Sequence, residues 1–102
     1  EIEKNNIIQP STITIQSIYP NPTNTSFTIS FSIPNTNEPT EIIINDILGR
    51  KIYTTSIQNH NNQFKWTWNG LENNGTIAPT GTYFVSISQG NQIETRKVTI
   101  LK

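Results

Sequence analysis

The sequence contains no cysteine, a single histidine and few charged residues. Its 102 residues carry 7 Lys plus Arg against 7 Asp plus Glu, so the formal net charge is zero. Without cysteine there is no disulfide framework and no thiolate metal site. Balanced charge gives no basic field for nucleic acid or for an anionic membrane surface, so we expect neither as a partner.

Long hydrophobic runs are also missing. No segment approaches the roughly 20 apolar residues that span a bilayer, and no basic and then apolar signal peptide opens the chain, so we expect no membrane insertion. The length allows one domain with one core, which we expect to be monomeric. Because the first residue is Glu1 and not methionine, we expect the chain to be a piece of a longer protein.

Helical periodicity is absent, whereas alternation of apolar and polar residues occurs along most of the chain. The clearest case is residues 26–33, where Phe27, Ile29, Phe31 and Ile33 share one face. Similar patterns predict strands near residues 12–18, 41–45, 50–57, 63–68, 81–87 and 92–101. Seven short strands separated by turn signals predict an all-β fold, an immunoglobulin-like seven-stranded antiparallel β-sandwich.

Aromatic residues concentrate in two of these predicted strands. Phe64, Trp66 and Trp68 alternate with polar residues, and Tyr83 begins the apolar face of residues 81–87. Such rings each bury roughly 150 to 250 Å², so we interpret the two stretches as neighbouring core strands. The alternative is that Trp66, Trp68 and Tyr83 form an exposed platform for stacking sugars; alternation favours the core.

Two breaks in the alternation predict β-bulges. Ile18 is out of phase with Ile15, which indicates a bulge near Ser17. In the last strand Ile93 and Val98 lie in opposite phases, which predicts a second bulge near residues 96–97.

The connections show recognisable turn chemistry. Asp46 and Gly49 stand at the first and last positions of a four-residue turn, which predicts a type I turn in a tight hairpin. The prolines in residues 19–22 predict a stiff crossover that pairs with no neighbour. Residues 1–11 show no sustained alternation and are interpreted as a linker.

Candidates for chemistry are weak. His60 has no nearby acid or thiol to complete a ligand set, and Leu71 interrupts the possible calcium loop of residues 69–75. Asp46 and His60 are each the only residue of their kind, and Asp46 is better explained by the turn. We therefore expect no catalytic residues, no metal site and no cofactor.

An ordered set of short motifs does carry a specific signal. The motifs are Tyr19-Pro20-Asn21-Pro22, Asp46-Ile47-Leu48-Gly49-Arg50, Trp68-Asn69-Gly70, Pro79-Thr80-Gly81-Thr82-Tyr83-Phe84 and Lys97-Val98-Thr99-Ile100-Leu101-Lys102. In this order, over residues 13–102, the chain resembles the C-terminal sorting domain, type A, of the type IX secretion system of Gram-negative Bacteroidota.

This resemblance implies that the chain is a sorting signal and not an enzyme. Domains of the family follow a cargo domain in the same chain, transit the periplasm, and are read by an outer-membrane translocon. A surface sortase usually cleaves the linker, so that the cargo reaches the cell surface or is secreted. The implied division is a linker at residues 1–11, with the cleavage site, and a sorting domain at residues 12–102.

The resemblance also implies candidate recognition residues for the translocon and sortase. They are Tyr19, Pro20, Asn21 and Pro22 of the Pro-Asn-Pro element, the hairpin residue Gly49, and Lys97, Val98, Thr99, Ile100, Leu101 and Lys102 of the terminal strand. A terminal edge strand exposes unpaired backbone groups to which a partner can add a strand. The alternative is that Lys97 and Lys102 merely protect that edge from aggregation.

Two other classes of function fit the same fold. One is a non-catalytic adhesion or carbohydrate-binding β-sandwich of a secreted enzyme, or a passive spacer beside it. The other is the immunoglobulin-like domain of a flagellar hook-cap protein, which has similar hairpin and Trp-Asn-Gly-like stretches.

Overall fold

The computed structural model describes residues 12–34, 38–58 and 62–102, and within them every regular element is a β-strand. The strands are β1 Thr14–Tyr19, β2 Phe27–Ser32, β3 Thr40–Asp46, β4 Lys51–Ile57, β5 Gln63–Trp68, β6 Gly81–Gln89 and β7 Gln92–Ile100. The predicted all-β sandwich of seven antiparallel strands is confirmed. The predicted linker, residues 1–11, lies outside the described residues.

The strands form two sheets. One has three strands in the order β1-β2-β5, and the other has four in the order β4-β3-β6-β7. Each pair within a sheet is antiparallel. Immunoglobulin constant domains place the fourth strand beside the fifth, whereas here β4 belongs to the larger sheet beside β3.

The prediction that β5 and β6 are neighbours in a sheet is wrong. β5 pairs with β2, and β6 lies between β3 and β7 in the other sheet. The two strands instead face each other across the core, where the rings of Trp68 and Tyr83 meet edge to face at 6.4 Å. Alternation identifies the apolar face of a strand, but it does not identify the strand's neighbour.

The core consists of isoleucines and aromatic rings from both sheets. Phe31 and Ile44, from opposite sheets, have no exposed surface, and Trp68 is 1% exposed. Trp68 packs against Phe27 with ring centroids 5.5 Å apart. Its indole N–H donates to the carbonyl of Leu71 at 2.9 Å, so the polar end of the buried ring is satisfied.

One predicted bulge is present and the other is not. The β1–β2 register shifts between Ile15 and Ser17, as predicted. The β6–β7 register is continuous from Gly81 opposite Ile100 to Gln89 opposite Gln92, so no bulge lies near residues 96–97. Ile93 lies on the outer face and is 61% exposed, so its apolar side chain wrongly indicated an inward-facing position.

The strands define two opposite ends of the sandwich. β1, β3, β5 and β7 finish at one end, where β2, β4 and β6 start, because the strands are antiparallel. We call it the motif end, since the motifs of the sequence meet there; it is marked by Tyr19, Asp46, Trp68, Gly81 and Ile100. At the other end, the linker end, the N–H of Ile13 donates to Oε1 of Gln92 at 3.1 Å.

The same substitution at Ile44 and at Ile93 tests which face of the larger sheet is the core. Ile44→Val removes a methyl group from a fully buried side chain, so we expect it to lower the free energy of unfolding by about 0.5 to 1.5 kcal/mol. Ile93→Val acts on an exposed side chain and should change it by less than about 0.5 kcal/mol. Chemical denaturation of both variants measures this. Equal losses would place Ile93 in the core and contradict the continuous β6–β7 register.

Candidate functional site

The sequence motifs lie far apart in the chain but share the motif end. β1 ends at Tyr19, β3 at Asp46 and β5 at Trp68, while Gly81 begins β6 opposite Ile100 of β7. The loops that follow these strand ends therefore surround one end of the sandwich. The segments that contain the candidate recognition residues, 19–22, Gly49 and 97–102, all lie in or lead into this end of the sandwich.

The Pro-Asn-Pro element runs beside the terminal strand. Both of its X-Pro bonds, Tyr19-Pro20 and Asn21-Pro22, are cis. The side-chain amide of Asn21 donates through Nδ2 to the carbonyl of Lys97 at 3.3 Å and accepts through Oδ1 from the N–H of Thr99 at 3.1 Å. Asn21 thus imitates a strand backbone, because it offers one donor and one acceptor to the edge of β7.

Thr23 continues this pairing with its own backbone. Its N–H donates to the carbonyl of Thr99 at 2.9 Å, and its carbonyl accepts from the N–H of Leu101 at 2.7 Å. These bonds form a single parallel bridge between Thr23 and Ile100. Thr23 is 4% exposed, and its hydroxyl donates to the carbonyl of Ser26 at 2.6 Å. Residues 20–26, which join β1 to β2 and which we call the crossing, therefore run from the edge of the smaller sheet to the edge of the larger sheet.

This crossing corrects the expected open edge at the terminal strand. β7 is an edge strand, as predicted, but its outward backbone groups from the carbonyl of Lys97 to the N–H of Leu101 are bonded to Asn21 and Thr23. A partner cannot add a strand there without displacing residues 21–23. Sequence reasoning missed Thr23, because nothing in its neighbourhood shows that a lone threonine pairs with a strand far along the chain.

The candidate residues of the terminal strand divide into hidden and accessible ones. Val98 and Ile100 are fully buried core residues, so a partner cannot contact their side chains. Leu101 is 60% exposed, and both Lys97 and Lys102 are exposed. The N–H of Lys102 donates to Oγ1 of Thr80 at 3.1 Å, which holds the last residue beside the start of β6. The accessible part of this motif is therefore basic and apolar.

The hairpin between β3 and β4 is tight and is closed by Gly49, as predicted. The N–H of Gly49 donates to the carbonyl of Asp46 at 3.0 Å, and Gly49 has a φ of 86°, which favours glycine. Oδ1 of Asp46 accepts from the N–H groups of Leu48 at 3.0 Å and Arg50 at 2.9 Å. Nε of Arg50 donates to Oδ2 of Asp46 at 2.7 Å.

These contacts also set the protonation of Asp46. Desolvation raises the pKa of Asp46, but the hydrogen bonds from the backbone and side chain of Arg50 and from the backbone of Leu48, together with the charge of Arg50, lower it. Together the hydrogen bonds and the charge of Arg50 outweigh desolvation, so the pKa of Asp46 lies below its ordinary value. Asp46 is therefore an ionised turn residue, with the structural role that the sequence predicted.

The Trp-Asn-Gly motif packs against the crossing. Oδ1 of Asn69 accepts from the N–H of Leu71 at 3.0 Å, which turns the chain directly after Trp68. Gly70 has a φ of 86°, and a Cβ there would lie 2.8 Å from the carbonyl oxygen of Thr25. Only glycine fits this approach, so the motif helps to hold the segment that follows Pro22.

The rings considered as a sugar platform face the interior. Trp68 and Tyr83 are 1% and 3% exposed, and Trp66 is half-buried against Tyr53 with ring centroids 5.8 Å apart. The hydroxyl of Tyr83 donates to the carbonyl of Pro79. Burial and, to a lesser extent, the charges of Glu72 and Asp46 raise the pKa of Tyr83. These rings form core and not a flat exposed surface.

Chemistry-bearing groups do not gather in the described part of the chain. Across residues 12–34, 38–58 and 62–102, no three His, Cys, Asp or Glu side chains lie together as metal ligands. In the same residues no helix has the length and apolar character needed to cross a membrane. His60 lies outside the described residues.

The comparison with protein-family models decides the family. The model described as "Secretion system C-terminal sorting domain" matches residues 17–101, which include the crossing, the hairpin and the whole of β7. The chain belongs to this family. It is a C-terminal sorting signal of type IX secretion, and proteins sorted by this system are exported toward the cell surface or secreted.

Solved structures show the same fold at low sequence identity. The sorting domain resembles part of PorZ, an essential bacterial surface component of the type-IX secretion system of Porphyromonas gingivalis, with a TM-score of 0.58 and 17% identity over 86% of this chain and 11% of that chain. It also resembles the sensor domain of the anti-sigma factor RsgI4 of Pseudobacteroides cellulosolvens, with a TM-score of 0.55 and 14% identity over 88% of this chain and 76% of that chain. A search of curated proteins finds no match.

Replacement of Asn21 tests whether its amide holds the terminal strand. We expect Asn21→Ala to cost about 1 kcal/mol locally, because it removes two hydrogen bonds to β7. The amide of Thr99 should then exchange with solvent roughly 5 times faster, measured by hydrogen exchange with NMR. Asn24→Ala, at an exposed position of the same segment, is the matched control. Unchanged exchange at Thr99 would show that the amide contributes nothing to the edge.

An acid titration tests the hairpin carboxylate. Since the folded-state pKa of Asp46 is lowered, its contribution to stability is complete above the unfolded-state pKa and is lost as the pH falls through the folded-state pKa. We expect the NMR titration midpoint of the Asp46 carboxyl to be lower in the folded domain than in urea. The amide signals of Leu48 and Arg50 should shift at the same midpoint. Equal midpoints in the two states would contradict the hydrogen bonds described.

Proposed function

We propose that residues 12–102 are the part of a secreted protein that an outer-membrane type IX translocon reads, after transit through the periplasm. In this proposal residues 1–11 link the domain to an upstream cargo domain, and a surface sortase cleaves within them. The chain acts as a ligand of the translocon and a substrate of the sortase and performs no catalysis itself. The family match to a sorting domain supports this role.

A single geometric observation carries the proposal: the motifs gather at the end opposite to the chain's entry. β1 begins with Thr14 opposite Ser32 at the linker end and finishes with Tyr19 at the motif end. Its 6 residues, at about 3.3 Å each, separate the two ends by roughly 20 Å. A cargo joined ahead of residue 12 would therefore leave the motif end free for a translocon protein.

The candidate recognition residues take two different roles in this proposal. We assign direct contact to those with accessible side chains, which are Tyr19, Pro20, Asn21, Pro22, Lys97, Leu101 and Lys102. Gly49, Val98, Thr99 and Ile100 build the surface instead. Gly49 closes the hairpin turn, Thr99 binds the crossing, and the side chains of Val98 and Ile100 fill the core.

Export of a fusion protein tests the proposed function. Residues 1–102 are joined to the C terminus of a monomeric periplasmic reporter with its own signal peptide, in a host that has a type IX system. We expect the reporter in the medium or on the cell surface, measured by fractionation and protease accessibility. The same fusion in a strain lacking the translocon should stay in the periplasm. Reporter that remains periplasmic in both strains would refute the function.

Deletion of residues 99–102 is a further arm of this experiment and should trap a folded reporter in the periplasm. The deletion also removes Ile100 from the core and the partners of Thr23, so the sorting domain itself should lose stability. Lys102→Glu is therefore the companion variant, because it changes an exposed side chain and leaves the β7 edge intact. Normal export of both variants would exclude the terminal residues from recognition.

A further inference from the structure

The β3–β4 hairpin exposes two large aliphatic side chains that its turn does not require. Ile47 and Leu48, at the two central positions, are 71% and 78% exposed. The turn itself is formed by Asp46 and Gly49, whose hydrogen bonds close it. Central turn positions are usually polar or carry glycine or proline. Folding of the hairpin therefore does not require Ile47 and Leu48, whereas a contact with another molecule would explain two exposed aliphatic side chains at this position.

The other exposed isoleucines have local explanations. Ile93 lies in β7, where a β-branched side chain fits the strand whichever face it takes. Ile77 forms a β-bridge with Leu71, which gives it a place in the loop between β5 and β6. Ile47 and Leu48 differ because they are in neither a strand nor a bridge.

The hairpin tip is continuous with the terminal motif. A cleft of about 220 Å³ is lined by Ile47, Leu48 and residues 79–82, which include Thr80. Thr80 also accepts the hydrogen bond from the N–H of Lys102, next to the exposed Leu101. The apolar tip, the cleft and the terminal residues thus lie on one surface. We call Ile47, Leu48 and Leu101 the apolar patch.

Basic residues outnumber acidic ones around the apolar patch, where Glu72 also lines the cleft. Arg50 pairs with Asp46, which leaves Lys51, Lys97 and Lys102 as basic residues against Glu72 at the motif end. None of these lysines forms a salt bridge with another described residue. A complementary partner surface therefore has an apolar pocket with carboxylates at its rim. Nucleic acid, which offers phosphates but no apolar pocket, does not match the patch.

We propose that the apolar patch inserts into an apolar pocket, rimmed by carboxylates, on the translocon protein that reads this domain. This inference rests on the proposed function and adds Ile47 and Leu48 to its contact residues. An apolar cluster with a charged border is the usual composition of such a site. Gly49 then matters because it shapes the turn that presents the two side chains.

The fusion described above tests the inference with a matched pair of variants. Ile47→Ser and Ile93→Ser make the same change at side chains of similar exposure, 71% and 61%, at different places on the domain. Ile47→Ser/Leu48→Ser is the stronger variant. We expect the double variant to lower the exported fraction by about tenfold or more, because the loss of one well-buried contact weakens binding by about that factor. Ile93→Ser should leave the exported fraction unchanged.

Fold and charge are tested alongside. Circular dichroism and melting temperatures of the purified variants should match the wild type, since the altered side chains are exposed. Leu48→Gln, a single polar change of similar size, replaces the double variant if that variant melts earlier. Lys51→Glu should also lower export, whereas Lys65→Glu, in β5 of the other sheet, should not.

The outcomes separate this inference from the function beneath it. If the wild-type fusion stays in the periplasm, the proposed function fails. If the wild type is exported and the folded double variant is exported equally well, the apolar patch is not the contact and the function stands. Equal losses for Ile47→Ser and Ile93→Ser would also overturn the inference, because they would show no preference for the hairpin tip.

Discussion

The structure depends on the hydrogen bonds between the crossing segment and the terminal strand. Asn21 and Thr23 bond the outer backbone groups of β7 from Lys97 to Leu101. Without them, these donors and acceptors would be unpaired at the edge of the sheet. The same bonds join the edge of the smaller sheet to the edge of the larger one. The core between the sheets is therefore closed on this side by backbone pairing as well as by side-chain packing.

Most motif residues at this end act on each other before they act on a partner. Gly70 leaves room for the carbonyl of Thr25, and Trp68 binds the loop that follows it. Asp46 holds the hairpin through its own backbone neighbours. These motif residues therefore build the surface, and the exposed residues between them are the ones left accessible to a partner.

The sequence predicts the inward and outward faces of the strands well, because alternation reports directly which side chains leave water. Residues 26–33 are an example, and local turn chemistry likewise predicts the hairpin at Asp46. The sequence does not predict that β5 and β6 lie in different sheets, because pairing depends on contacts between distant segments. The bulge predicted in the last strand is absent. Ile93 is an apolar residue on the exposed face, and this position shifts the apparent alternation in the same way as a bulge would. The pairing of Thr23 with Ile100 has no local signal at all.

β1 runs from the linker end to the motif end, and this direction affects how the domain resists mechanical tension. A pull on residue 12 against a fixed motif end acts along the strand axes. The ladder bonds of β1 with β2 lie across that direction, so they are loaded together in shear and do not open one after another. A force along β1 is therefore resisted by the whole β1–β2 ladder at once and not by one hydrogen bond at a time.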